Sequence, residues 1–128
     1  MARGSTLPVL LAGMVLASCD GAGTITNPDD IVFPDSAVSY QAHVQPWLTL
    51  RCGPCHGSGN AAGGINLTNY SSLLFDRPNL VVPGNPDESL LCQVLEGTLG
   101  HPAGQFQFLR SDQMAGIRTW IREGAFNN

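Results

Sequence analysis

Apolar residues recur at helical spacing in several stretches of this chain and lose that spacing between them. From Ser36 to Leu50, Val44 and Leu48 fall four apart with Tyr40 and Trp47 close by, and Ser36 or Ser39 is placed to cap the start. Pro46 lies inside this pattern; its ring removes a backbone donor, which predicts a kink or a restart. Asn69 to Phe75 predicts a short helix with Leu73, Leu74 and Phe75 as its apolar part, ended by Arg77-Pro78. The next start is stronger. Asn85-Pro86-Asp87-Glu88 combines a capping residue, a proline at the first helical position and acids in the first turn. It predicts a helix from Pro86 to about Glu96, stopped by Gly97, with Leu90, Leu91, Val94 and Leu95 as its stripe. Ser111 is placed to cap a last helix, Asp112 to Glu123, with Met114, Ile117, Trp120 and Ile121 on one face and Gly124 as its stop. The expected fold is all-α, one small domain over 36–128 in which the first and last helices cross.

The stretches between carry other information. Gly57 to Gly64 is too glycine-rich for a regular element, and Gly97 to Gln107 is a second glycine-bearing loop holding His101-Pro102. Asp20 to Pro34 has prolines, glycines and acids but no period, so residues 19–35 read as a flexible tether, with an r.m.s. span of roughly 20 Å for about 15 residues. Before it, Arg3 precedes an apolar run from Leu7 to Ala17 that is too short to span a bilayer, and residues 1–18 read as an export signal. Leu16-Ala17-Ser18-Cys19 resembles the lipobox of bacterial lipoproteins, in which the cysteine becomes the lipid-bearing N-terminus. The expected place is the periplasmic side of a bacterial membrane, held there through Cys19.

The chemistry concentrates in Cys52-Gly53-Pro54-Cys55-His56, the spacing that covalently captures a c-type haem. Two thiols three positions apart can each add to one porphyrin vinyl group, and the histidine next in the chain then lies beneath the iron. Zinc would need a second Cys or His pair, which the sequence does not offer. A thioredoxin-like redox site would need a buried strand before the motif, where Ala42-His43-Val44-Gln45-Pro46-Trp47 stands instead. A structural disulfide with an incidental histidine is the remaining rival. A backbone carbonyl in the glycine loop is expected to accept the second imidazole N–H of His56 and fix the ring. For the opposite face of the iron the candidates are His101, an open or water-bound site, Met114 and His43. His101 leads, because it sits in a loop 45 positions on, whereas Met114 lies at core spacing and His43 suits a solvent-facing or capping role.

Charge narrows the partners. The chain has no lysine, and without Arg3 it keeps five arginines against ten acids, a balance that argues against nucleic acid and favours a redox partner with a basic docking face. With Cys19 assigned to lipid and Cys52 and Cys55 to haem, Cys92 has no disulfide partner and reads as a small core residue beside Leu91 and Leu95.

Several segments together resemble a known family, the small c-type cytochrome domain described from planctomycetes and related to class I cytochromes c. They are Cys52-x-x-Cys55-His56-Gly57, Gly63-Gly64-x-Asn66-Leu67, Val82-Pro83-Gly84-x-Pro86-x-x-Ser89-Leu90 and Ile117-x-x-Trp120-Ile121-x-x-Gly124-Ala125, spread over about residues 36 to 127. The resemblance implies a helical domain wrapped around one covalent haem c, transferring electrons without catalysis by side chains, with Cys52 and Cys55 holding the haem and His56 as proximal ligand. Where the family usually has a Met-Pro step with a ligating methionine, this chain has His101-Pro102. Three roles are consistent with these residues: a membrane-tethered one-electron carrier with His56 and His101 on the iron, a five-coordinate gas sensor or peroxidase-like enzyme with His101 standing off as acid/base group, and a haem subunit of a larger membrane electron-transfer complex.

Overall fold

A computed structural model describes Met1, residues 23–104 and residues 109–128; the expected signal, apart from Met1, and the expected lipidation site Cys19 lie outside the described residues. The described chain is mostly helical. Helix α1, Gln45–Arg51, is entered through a wide turn over Tyr40–Val44; α2 is the single turn Gly53–His56, α3 is Leu90–Leu95 and α4 is Ser111–Arg122. Among the described residues the only extended pairing is a small one, His56 with Ala61 and Gly57 with Asn60.

Pro46 explains how α1 begins. Lacking an N–H, it cannot bond back into a preceding α-turn, and the chain widens just ahead of it and restarts with the proline in the first turn. The donors at this start find partners elsewhere. Ser39 Oγ accepts from Ala42 N–H (3.1 Å), His43 Nδ1 accepts from Ser39 N–H (3.0 Å), and Asn128 accepts from Tyr40 N–H through Oδ1 (2.8 Å) and from Gln41 N–H through its carbonyl (3.0 Å). His43 is therefore a capping residue, and Ser39 rather than Ser36 caps the start.

The first and last helices pack as expected, with Trp47, Leu48, Ile117, Trp120 and Ile121 all buried and Tyr40 stacked on Trp120 (ring centroids 5.6 Å). Two details of α4 differ from expectation. Ser111 is already inside the helix; Arg110 occupies the cap position, makes no side-chain capping bond, and pairs its guanidinium with Asp112 (2.8 Å). The buried face also includes Gln113 and Gly116, while Met114 is only half-buried.

The segment expected as a tether divides in two. Residues 23–27 are exposed, but Pro28–Asp30 forms a 3₁₀ turn, and Ile31 and Phe33 enter the core. Polar contacts bind this strap on both sides: Asp29 pairs with Arg51, Arg110 Nη1 donates to the Asp29 carbonyl (3.0 Å), and Gln113 Nε2 donates to the carbonyls of Pro28 (2.8 Å) and Ile31 (3.2 Å). The folded domain thus starts near residue 28 and not at 36.

The helix predicted from Pro86 is broken at Ser89. Pro86–Glu88 is a 3₁₀ turn, capped by Asn85 as expected, and Ser89 is extended before α3 begins. The loop 79–82 competes for the helix's own bonds: Leu90 N–H donates to Asn79, Leu91 N–H to Leu80, and the buried Ser89 hydroxyl accepts from Val82 N–H (2.9 Å) and donates to the Asn85 carbonyl (2.9 Å). Gly97, with φ of 76°, ends α3. Arg118 of α4 clamps this region by pairing with Asp87 and with Glu96 (2.8 Å), and its hydrogen bond holds the Asp87 carboxyl below the usual range.

Two buried groups predict a loss of stability in alkali. Burial, with a smaller contribution from Tyr70, pushes Tyr40 from 10.0 to about 12; burial, with Glu96 adding, pushes the Cys92 thiol from 9.0 to about 11. Both folded values are raised, so the stability is fully present below the unfolded values and lost as pH climbs through the folded ones, by up to about 1.4 kcal/mol per pH unit for each group. Among the described residues Tyr40 Oη also has no hydrogen-bond partner. Replacing it with a hydrogen removes an unsatisfied polar atom at little packing cost. Tyr40→Phe is therefore expected to be neutral to stabilising at pH 7 and to flatten the decline between about pH 10 and 12, read by denaturant unfolding across that range.

Candidate functional site

The motif is presented by the break between α1 and α2. Cys52 terminates α1, its N–H bonded to the Leu48 carbonyl (2.8 Å), and its own carbonyl accepts from Cys55 N–H (3.1 Å) and His56 N–H (2.7 Å). That turn sets the two thiols close in the chain, Cys52 half-buried and Cys55 exposed, both free. Burial pushes the Cys52 thiol up to about 11 against the opposing charge of Arg51, so it keeps its proton near neutral pH. Gly57 is needed directly after the histidine, because a Cβ there would stand 2.7 Å from the Gly53 carbonyl oxygen.

His56 is fixed from two sides. Its carbonyl accepts from Leu67 N–H (2.8 Å), and its Nδ1 is 3.0 Å from the Ile65 carbonyl oxygen. A carbonyl can only accept, so Nδ1 carries the proton and Nε2 keeps its lone pair for a metal. The carbonyl anticipated for this role comes from just beyond the glycine loop. Gly63 and Gly64, with φ of 64° and 73°, turn the chain so that Ile65 reaches it.

The loop after α3 brings His101 back to this place. The His56 and His101 rings have centroids 5.8 Å apart and planes inclined by 66°. His43 is instead engaged in capping beside Phe33 (5.9 Å), and Met114 is half-buried on α4. Among the described residues no three His, Cys, Asp or Glu side chains group to hold a bare metal ion. The residues entering the motif are helical, unlike the strand of a thioredoxin-like site.

The donor set fits haem c: two free thiols one turn apart, and a histidine whose second nitrogen is already bonded, leaving Nε2 for iron. These features are those a c-type cytochrome domain requires. Residues 52–98 match the family model described as Planctomycete cytochrome C, which supports reading this segment as a planctomycete-type cytochrome c domain. The match supports a haem-based role in electron transfer. It ends at Thr98, so the loop with His101 and the helix with Met114 lie beyond it, and it is shorter than the expected span of 36 to 127. No curated protein and no solved structure matches the chain. No helix among the described residues is long and apolar enough to cross a membrane.

Proposed function

We propose that this protein is a one-electron carrier holding a single haem c through Cys52 and Cys55, with His56 as proximal and His101 as distal ligand, tethered to the periplasmic side of a membrane by lipid at Cys19. The observation that carries the reading is the 5.8 Å between the two imidazole centroids. Two imidazoles on opposite sides of one metal, each with a metal–nitrogen bond of about 2 Å, have centroids about 6 Å apart. Bound haem supplies an iron that alternates between ferrous and ferric. The chain's part is to bring the two imidazoles face to face: the Ile65 carbonyl orients His56, and the loop after α3 carries His101 opposite it.

Two imidazoles give a lower potential than a histidine–methionine pair, and the iron would bind no other molecule while both positions are filled. The acidic balance of the chain suits a partner with a basic face. The visible spectrum tests this. The purified holoprotein is expected to be low-spin in both oxidation states without the methionine band near about 695 nm, and His101→Ala is expected to be high-spin. A high-spin wild type would favour the sensor or peroxidase-like role, and copurification with a membrane complex the subunit role. A Cys19→Ser variant that stays on membranes as firmly as the wild type would remove the lipid anchor from the proposal.

A further inference from the structure

The loop carrying His101 is pinned up to Leu99 and turns on itself afterwards. Leu99 N–H and Thr98 Oγ1–H both donate to the Gln93 carbonyl (3.0 and 3.1 Å). Beyond them, Gly104 N–H donates to the His101 carbonyl (2.9 Å), closing a four-residue turn with Pro102 in its second position and Gly104 at a φ of 94°. Inside this turn Ala103 N–H donates to His101 Nδ1 (3.1 Å).

That last bond sets the tautomer. A ring nitrogen that accepts a hydrogen bond carries no proton, so a neutral His101 has its proton on Nε2. The facing His56 is the reverse, with the proton on Nδ1 directed at Ile65 and Nε2 bare. To ligate through Nε2, His101 must move its proton to Nδ1, and Ala103 N–H then loses its acceptor. The two conditions of His101 exclude one another, and the turn stabilises the unligated one.

We propose that His101 is an exchangeable distal ligand, so that the position opposite His56 opens to a small neutral diatomic molecule of the carbon monoxide class, with His101 Nε2–H then serving as its hydrogen-bond donor. This rests on the assignment of His56 and His101 as the axial pair. The exchange breaks one iron–nitrogen bond and forms one iron–ligand bond. The ring proton passes between the two nitrogens through solvent with no net uptake. Pro102, Ala103 and Gly104 are exposed, so none of these three positions contributes a side chain to the core.

The test uses ferrous holoprotein with carbon monoxide as the probe. The spectrum before gas is added decides the axial assignment by itself: a five-coordinate, high-spin resting state shows that His101 is no ligand, whatever the gas then does. For a low-spin resting state, the binding rate is expected to level off as carbon monoxide rises, because departure of His101 sets a ceiling. His101→Ala is expected to show a linear rate and an apparent affinity about tenfold or more above wild type, the factor lost when the competent state is one-tenth populated or less. The Ala103 amide supplies a second readout in the wild-type protein, its proton shifting downfield and exchanging more slowly once carbon monoxide is bound. A wild type that refuses carbon monoxide at saturation while His101→Ala takes it up overturns the proposal, as does an Ala103 amide unchanged by binding.

Discussion

Gly116→Ala is expected to lower the stability of this domain by about 2–4 kcal/mol, although alanine is the better helix former. The substitution gains about 1 kcal/mol of helix propensity. Against this, the new Cβ would lie 2.3 Å from the Phe33 ring and 2.4 Å from its Cβ. Rotating the ring does not relieve a contact that includes the Phe33 Cβ, so Phe33 must leave its site, and losing a buried phenylalanine costs about 3–5 kcal/mol. Denaturant unfolding of Gly116→Ala, Phe33→Ala and the double variant checks this. The double variant should be clearly less destabilised than the sum, because the Phe33 ring contacts are lost only once, although the Cβ kept at position 33 still crowds the new one.

Gln113→Leu is the second large effect. Gln113 is fully buried and uses its whole amide: Oε1 accepts from Trp47 Nε1–H (2.9 Å), and Nε2 donates to the Pro28 and Ile31 carbonyls. Leucine would recover about 2 kcal/mol of transfer energy. It would also strand a buried indole donor and the Ile31 carbonyl, each costing about 1–3 kcal/mol, while the less buried Pro28 carbonyl can turn to water. A net loss of up to about 4 kcal/mol is expected from the unfolding midpoint. Gln113→Glu should be worse still, since a carboxylate keeps the bond to Trp47 but faces two carbonyl oxygens with no donor to offer.

Both effects come from the strap, and the strap is what the sequence conceals. Ile31 and Phe33 stand two apart among prolines and aspartates, with no helical or strand period to announce burial. The partners that lock them, Gln113 and Gly116, read as a polar residue and a helix breaker on a face defined by its apolar members. A pairing between positions so distant in the chain leaves no local mark on either. Ser89 is similar: its neighbours Asn85 to Glu88 are locally a good helix start, and only the loop 79–82, which takes the first bonds of α3, interrupts it.

The candidate site was more legible because its determinants are local. The spacing of Cys52, Cys55 and His56, the glycine-rich turn and the need for a carbonyl on the His56 ring all lie within the fourteen residues from Cys52 to Ile65. His101 could be named as a candidate from residue type and chain separation. Its proximity to His56, and the turn that occupies its Nδ1, depend on how the loop folds back from α3. Cys92 needed only its neighbours Leu91 and Leu95, and it is buried between α3 and the core as they suggest.

The docked strap also changes how far the protein can travel. With 28–34 folded against α1 and α4, the leash from a lipid-bearing Cys19, as proposed above, shrinks to Asp20–Asn27, eight residues. Their contour is at most roughly 28 Å. A domain of about 100 residues has a radius of gyration near 13 Å, hence a width of roughly 33 Å. So short a leash lets the domain roll over the bilayer surface but never stand clear of it by more than its own breadth. Diffusion of this carrier would be two-dimensional, and any electron it delivers across the aqueous space must be collected by a partner that comes to the membrane.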